Sequence, residues 1–288
     1  KTCKLKFKYH YIDKLEMPEV TGIETVMGDT VHECLERLYR PKIQEEEIKT
    51  PVYSQSFYIE EPVKNFNTIE ELLAEYKQIW DDYMKKAERE GATIKLKSNK
   101  TTQKYFKFGE TCIKNYWHSY YPFTNDRTLG VELDIDVNLD EERKYVMVGL
   151  VDRLSKIGKA TFNIIDYKTY IRLPGVKKIS DMSHQLEIYE FAIRSMYPEA
   201  KRINLIWHIL YHNEEIRITK NLDDPIDQKY LAKTRDRVIS DIDKIKESEL
   251  NDSFPPTKSK ACEWCEYKSI CPLWKNTNQT KQDFQKKD

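Results

Sequence analysis

Apolar and polar positions divide the chain into a run of predicted strands with helical segments on either side. Residues 131–137 alternate strictly between apolar and acidic side chains, which is typical of a strand with one buried face. Residues 145–151 and 162–165 are apolar runs rich in β-branched residues, and residues 156–159 between them contain a glycine. These patterns predict three core strands, the last two of them joined as a hairpin.

Helical periodicity, with apolar positions three and four residues apart, flanks these strands. The predicted helices cover residues 2–15, 28–39, 68–91, 105–122, 183–193 and 224–248, and two further strands cover 203–211 and 215–219. Thr68 and Glu71 have the spacing of a capping box. Ser183 or Asp181 is the expected N-cap of the fifth helix.

Composition favours one large globular domain. Hydrophobic residues make up 39% of the chain and charged residues 33%, and no apolar run approaches the length needed to cross a membrane. We expect a single domain over residues 1–288, with a core at 129–220, a helical insertion at 41–128 and a cysteine-rich segment at 250–275.

Acidic residues stand where the two runs of the predicted hairpin end. Asp152 follows the first run, and Asp166-Tyr167-Lys168 follows the second. Pairing of the strands would bring the two carboxylates together, and strand alternation puts Asp166 and Lys168 on one face. Adjacent carboxylates repel each other unless a cation lies between them, and oxygen ligands favour Mg²⁺ or Mn²⁺. With a lysine to orient a water, this arrangement suits phosphodiester hydrolysis.

Three short motifs follow one another: GLVDR at residues 149–153, IDYKT at 165–169 and QLEIY at 185–189. In this order and on these predicted elements they resemble the PD-(D/E)XK nucleases, most of all the RecB-like exonuclease branch, which includes the AddB nuclease domain and CRISPR adaptation nucleases. The motif's proline is absent, since Val151 precedes Asp152. The resemblance implies a restriction-endonuclease-like α/β core with a mixed central sheet flanked by helices, acting as an exonuclease on single-stranded DNA or duplex ends.

The resemblance also implies a role for each matching residue. Asp152 and Asp166 would bind the metal, and Lys168 would position and help activate the attacking water. Gln185 and Tyr189 lie four residues apart on one helix face, and they would orient Lys168 or the DNA strand.

Further ligands are implied elsewhere in the chain. The segment from Gly28 to Glu36 resembles the family's first motif, in which a histidine, here His32, approaches the metal; a lone helical histidine is otherwise more often structural. Glu132 on the first core strand matches a glutamate that lies near the metal in the family. The backbone carbonyl of Tyr167 would add another ligand.

The C-terminal part carries a second signal, the spacing Cys-x2-Cys-x5-Cys-Pro. Three thiolates are too few to close a tetrahedral shell, and Cys3 is the candidate for the fourth ligand. One N-terminal and three C-terminal cysteines resemble the iron-sulfur nucleases, which implies a 4Fe-4S cluster with Zn²⁺ as the rival occupant. The cysteines are Cys3, Cys262, Cys265 and Cys271. A disulfide is least expected, since we predict an intracellular, cytoplasmic protein.

The charge balance argues against a uniformly basic DNA-binding surface. Lys and Arg number 48, and Asp and Glu also number 48, so a basic groove would have to be local. Candidate positions are Lys95, Lys97, Lys100, Lys104, Lys107, Arg172, Lys177 and Lys178, although a solvated surface explains each segment equally well. DNA is the expected partner, and the resemblance adds a helicase or a CRISPR adaptation protein.

Two other classes of protein fit parts of the pattern. A module that grips DNA ends without cutting them would keep the fold, but the complete acid-acid-lysine set favours an enzyme. An iron-sulfur redox protein would need a second cofactor motif, and we find none in the sequence.

Overall fold

The computed structural model describes residues 3–17, 20–43, 63–96 and 100–274, with the backbone alone at 176–178 and 180–182. Lys97 and the side chains of Lys177 and Lys178, which the sequence suggests for a groove, lie outside the described part. Within these ranges we find no helix with the length and apolar character needed to span a membrane.

The strands form two sheets. In the smaller one, β1 (Val20–Gly22) pairs in parallel with β2 (Thr93–Lys95). The central sheet consists of β3 (Arg127–Asn138), β4 (Val146–Ile157), β5 (Thr161–Lys168), β6 (Arg202–Ile209) and β7 (Glu214–Asn221), in that order. Its neighbouring strands are antiparallel except for β5 and β6, which are parallel. The mixed central sheet expected from the sequence is confirmed.

Helices cover both faces of the central sheet. They are α1 (Lys4–Phe7), α2 (Ile23–Tyr39), α3 (Ile69–Arg89), α4 (Thr102–Tyr120), α5 (Val176–Met196) and α6 (Pro225–Leu250). Helices α2, α3 and α4 share a hydrophobic core with Val131 and Ile165 on one face. Helices α5 and α6 share the other core with Leu133 and Ile164. The sheet therefore separates two cores.

Two helices begin earlier than their apolar pattern predicts. Helix α5 has Gly175 as its N-cap, so the prediction of Ser183 or Asp181 was wrong; no Pro or Gly after Gly175 interrupts the helix before those residues. Helix α2 begins at Ile23 instead of Gly28, because Ile23 is fully buried and its burial extends the helix.

The ends of two other helices can be compared with the sequence pattern. The helix predicted over residues 2–15 is shorter, since α1 passes into a π-helical turn at Lys8–Ile12. The capping box of α3 is confirmed: the N–H of Glu71 donates to Oγ1 of Thr68 at 3.3 Å, and the N–H of Thr68 donates to the Glu71 carboxylate at 3.4 Å.

The hairpin of β4 and β5 opens as a fork at the end away from its turn. Hydrogen-bonded pairing runs from Ile157 opposite Thr161 to Arg153 opposite Ile165, and it stops there. Past that point β4 continues its pairing with β3, and β5 continues its pairing with β6. The two strands therefore separate at one defined position.

Asp152 and Asp166 are the first residues beyond the last pair, so both lie at the opening of the fork. The prediction that Asp152 ends its strand was wrong, because β4 passes through Asp152 and continues to Ile157. β4 pairs with β3 on both sides of Asp152 and with β5 only from Arg153 onward. The apolar run ends there because the buried residues Arg153 and Ser155 that follow are polar.

Candidate active site

Three possible metal ligands meet at the opening of the fork. His32 on α2, Glu132 on β3 and Asp152 on β4 each offer an atom within 4.8 Å of the other two. Since these residues are far apart in the sequence, the packing of α2 on the sheet brings them together. Asp166 lies outside this group of three, but close enough for the charge of Asp152 to affect it.

Glu132 has an unusual backbone conformation. Its φ is 41°, in the left-handed region that side chains other than glycine rarely adopt. The flanking residues Val131 and Leu133 pack in opposite cores, although residues two apart on a regular strand share a face. In the strand register, Glu132 and Asp152 lie between the pair of Val131 with Arg153 and the pair of Leu133 with Val151. An irregularity of this kind is common next to active sites, and here it lies at the proposed ligands.

His32 directs a lone pair at Asp152. Its Nε2 lies 2.9 Å from the backbone carbonyl oxygen of Tyr167, and since a carbonyl only accepts, Nε2 carries the proton. Burial lowers the pKa of His32, which favours the neutral ring. The unprotonated Nδ1 then lies 3.4 Å from Oδ2 of Asp152. Two acceptors at this distance repel each other unless a cation lies between them.

The donor set fits a divalent cation. Cis ligands of an octahedral Mg²⁺ bound at about 2.1 Å lie about 3 Å apart, close to the separation of the two acceptors. Carboxylate oxygens suit Mg²⁺ and Mn²⁺, and a neutral imidazole is the commonest nitrogen ligand of metals in proteins. His32, Glu132 and Asp152 are therefore the residues that could hold the metal.

The negative charge of the carboxylates at the fork is compensated only in part, by Lys168 beside Asp166. Burial, followed by the charges of Asp152 and Glu36, raises the pKa of Glu132 to about 8. Burial also raises the pKa values of Asp152 and Asp166, and the neighbouring Asp152 raises that of Asp166 further. A bound cation would stabilise the ionised form of all three groups.

Lys168 is paired with Asp166, as strand alternation predicts. Its Nζ lies 2.6 Å from Oδ2 of Asp166. Burial alone would lower the pKa of Lys168, but the charges of Asp166 and Asp152 outweigh it and raise the pKa above its usual value. Lys168 is therefore protonated at neutral pH in the metal-free protein, and it can donate hydrogen bonds.

The main chain of Tyr167 connects the two arms of the fork. Its N–H donates to Oδ2 of Asp152 at 2.7 Å, and its carbonyl oxygen accepts from His32. The Tyr167 carbonyl, which the sequence resemblance assigns to the metal, thus contacts His32, one of the three possible metal ligands. Both contacts fix the orientation of the side chains around the proposed cation.

Helix α5 places Gln185 and Tyr189 beside the fork. Nε2 of Gln185 donates to Oη of Tyr189 at 2.9 Å. Burial raises the pKa of Tyr189, and the charges of Asp166 and Asp152 add to the shift. Gly149 makes room for the ring, since a Cβ there would lie 3.1 Å from Cε1 of Tyr189. The sequence pattern did not predict that Gly149 makes room for the Tyr189 ring.

Basic side chains suggested for a groove make local contacts in the structure. Lys95 donates to the carbonyl oxygen of Glu263 at 2.7 Å. Lys100 lies 5.3 Å from the ring centre of Tyr105 and 5.2 Å from that of Phe108. These two lysines therefore contribute to packing between elements, whether or not DNA also reaches them.

Four cysteines from the two ends of the chain line one cavity of ≈ 80 Å³: Cys3, Cys262, Cys265 and Cys271. The backbone N–H groups of Thr257 and Ser259 donate to the sulfurs of Cys3 and Cys262, each at 3.4 Å. In the described part of the chain, no three of these sulfurs lie within 4.8 Å of one another. Four thiols that line one cavity are a donor set that both a zinc ion and an iron-sulfur cluster use.

An ion pair joins the same two parts of the chain. Lys6 on α1, which also lines the cavity, lies 2.8 Å from the carboxylate of Glu266.

The other two cysteines are buried in the core. Cys34 lies on α2 and Cys112 on α4, and burial raises the pKa of the Cys112 thiol to about 12. Both are core thiols.

Comparison with known proteins identifies the family. The family model of the PD-(D/E)XK nuclease superfamily matches residues 1–272. Among solved structures, a candidate exonuclease from Eubacterium rectale is 13% identical, with a TM-score of 0.36 over 74% of this chain and 76% of the other. SSO0001 is 14% identical, with a TM-score of 0.32 over 94% of both chains.

Both TM-scores are below 0.5, so the assignment rests on the family model. Comparison with curated proteins gave no match. Because the family model spans residues 1–272 of 288, the chain belongs to the PD-(D/E)XK nuclease superfamily.

Proposed function

We propose that the protein is a deoxyribonuclease of the RecB-like branch that requires Mg²⁺ or Mn²⁺ and acts as an exonuclease on single strands or duplex ends. The observation that carries the proposal is the 3.4 Å separation between Nδ1 of His32 and Oδ2 of Asp152. Both atoms are acceptors, Glu132 belongs to the same group, and a cation removes the repulsion between them.

The cation would be held by His32, Glu132 and Asp152, and Asp166 would lie beside these ligands. The chemistry that such a cation would supply is polarisation of the scissile phosphate and a lower pKa of the attacking water. The main chain of Tyr167 keeps Asp152 and His32 in the orientation that binding needs.

Lys168 would hold the attacking water and stabilise negative charge that develops on the phosphate. In the metal-free protein Lys168 is protonated, so it would act as a donor, and the proton of the water would pass to a carboxylate or to solvent. Gln185 and Tyr189 would orient the DNA strand or Lys168 from the side of α5.

The four cysteines that line the cavity would hold a 4Fe-4S cluster. Support comes from the shared cavity that the four cysteines line and from the backbone N–H groups that donate to the sulfurs of Cys3 and Cys262. Its role would be structural: it would join Cys3 to the C-terminal segment and so close a loop of most of the chain, which constrains the unfolded state strongly. A helicase or CRISPR adaptation protein remains the proposed partner on the basis of the sequence resemblance, and the proposed location is the cytoplasm.

Cleavage of end-labelled DNA tests the proposal. Anaerobically purified protein is incubated with single-stranded or duplex DNA in Mn²⁺, Mg²⁺ or EDTA, beside Lys168→Ala and the control Lys77→Ala. Lys77 is an exposed lysine paired with Asp81 on α3, so its variant matches the chemical change away from the site.

We expect cutting in metal but not in EDTA, a loss of about 100-fold or more in Lys168→Ala, and wild-type rates in Lys77→Ala. Equal rates for Lys168→Ala and wild type would contradict the assignment. DNA binding without cutting under every condition would instead support a non-catalytic module that grips DNA ends.

A further inference from the structure

A buried polar network lies directly behind the fork. Arg153 follows Asp152 in the sequence and Tyr167 follows Asp166, and both side chains enter the network at only 2% and 3% exposure. The chemistry described above uses the main chain of Tyr167 but not its hydroxyl, and it does not use Arg153. These side chains are therefore available for another role.

Arg153 is held on several sides. Nη1 and Nη2 donate to the carboxylate of Asp126 at 2.8 and 3.2 Å, and Nη1 also donates to Oγ1 of Thr128 at 3.2 Å. The guanidinium lies 4.1 Å from the ring centre of Tyr39 on α2. Asp126 also accepts from Nδ2 of Asn163 on β5 at 3.3 Å. The network thus joins β4 to β5 just behind the point at which the strands separate.

A chain of three hydroxyls completes the network. Oη of Tyr39 lies 2.8 Å from Oη of Tyr116, which lies 3.1 Å from Oη of Tyr167. Helices α2 and α4 are therefore connected through Tyr116 to β5. The main chain of Tyr167 contacts Asp152 and His32, so the position of its hydroxyl and that of two proposed ligands are linked through one residue.

Such a network is a costly way to fill a core. Removing an arginine and an aspartate from water is unfavourable in general, and well-packed apolar residues are often at least as stable. Stability alone therefore does not account for Arg153 and Asp126 at this place. Groups that orient metal ligands from behind typically change metal affinity about 10- to 100-fold when they are removed.

We propose that Tyr116 and Arg153 are positioning residues: they fix the main chain of Tyr167 and the carboxylate of Asp152 at the separation that a divalent cation needs. The inference rests on the proposed metal-dependent function. Tyr116 acts through the hydroxyl of Tyr167, and Arg153 acts through the backbone of the adjacent Asp152.

The affinity for Mn²⁺, measured by isothermal titration calorimetry, tests the proposal without relying on activity. The variants are Tyr116→Phe, Tyr39→Phe and the control Tyr76→Phe. Tyr76 is also fully buried, and its hydroxyl donates to the carbonyl oxygen of Phe106 at 3.0 Å, away from the fork. Urea unfolding of each variant measures the cost of losing one buried hydroxyl.

We expect Tyr116→Phe to weaken Mn²⁺ binding about 10-fold or more. Tyr39→Phe should have a smaller effect, because it leaves the bond between Tyr116 and Tyr167 in place. Tyr76→Phe should bind Mn²⁺ as the wild type does. The double variant Tyr116→Phe/Tyr167→Phe should match Tyr116→Phe alone, since both changes remove the same bond.

Unchanged Mn²⁺ affinity in Tyr116→Phe, beside a wild type that binds Mn²⁺, would overturn this inference and leave the proposed function intact. An equal loss in Tyr76→Phe would also overturn it, because the effect would then follow general destabilisation. A wild type that binds no Mn²⁺ would overturn the proposed function together with the inference.

Discussion

Metal binding at the fork should depend steeply on pH because of Glu132. Burial and the neighbouring acids raise the pKa of this carboxyl to about 8, whereas a cation requires the ionised form. In metal-free protein only about 1% of such a group is ionised at pH 6, compared with about half at pH 8. The affinity for Mn²⁺ should therefore rise about 50-fold between these values, or about 2 kcal/mol.

The variant Glu132→Gln isolates this contribution. It keeps the size of the side chain and removes its titration, so the affinity should be weaker at pH 8 and should rise much less from pH 6. Asp152 and Asp166 also titrate, and any slope that remains in the variant belongs to them. An exposed glutamate changed in the same way, Glu70→Gln on α3, should follow the wild type.

Calorimetric titration with Mn²⁺ at pH 6, 7 and 8 measures the effect, and the number of protons released on binding can be read from titrations in buffers of different ionisation enthalpy. A wild-type Mn²⁺ affinity that does not change between pH 6 and pH 8 would contradict the predicted titration of Glu132. A Glu132→Gln variant whose Mn²⁺ affinity rises with pH as steeply as that of the wild type would also contradict it.

Three further predictions concern other parts of the structure. Gly149→Leu should destabilise the fold by about 1–3 kcal/mol in urea unfolding and should reduce cleavage, because the new Cβ would lie 3.1 Å from Cε1 of Tyr189. A variant as stable as the wild type would contradict that contact. Cys3→Ser should remove the visible absorbance of the anaerobically purified protein, whereas the control variants Cys34→Ser and Cys112→Ser should keep it. Visible absorbance that remains in Cys3→Ser would exclude Cys3 as a ligand. The pKa of Glu215 is lowered to about 2, mainly because His208 donates a hydrogen bond to its carboxylate. The ionised Glu215 therefore stabilises the fold above pH 4.5, and this stabilisation is lost as the pH falls towards 2. Glu215→Gln should then cost about 1 kcal/mol in urea unfolding at pH 7 and less than half of that at pH 3, and an equal cost at both would contradict the sign.

Local sequence patterns predicted the parts of the site that depend on neighbouring residues. Alternation along one strand is enough to place Asp166 and Lys168 together, and the structure shows them as an ion pair. The turn at Gly158 is enough to predict the hairpin. The capping box at Thr68 depends on four consecutive positions, Thr68 to Glu71, and is also found.

Features that depend on packing between distant segments were not predicted. The opening of the fork depends on β4 and β5 choosing different partners, which neither strand's own pattern reveals. The left-handed conformation of Glu132 breaks the regular alternation that the sequence suggests. The hydroxyl chain through Tyr116 joins three elements, and its tyrosine looks in the sequence like any other apolar position of a helix.

The position of a bound metal tests the central claim most directly. Crystals soaked in Mn²⁺ would be measured at a wavelength at which manganese scatters anomalously, and an anomalous difference map would be calculated. The account predicts a peak in contact with His32, Glu132 and Asp152, and no peak there in crystals of Asp152→Asn. A clear manganese peak elsewhere in the wild type, with none at the fork, would contradict it.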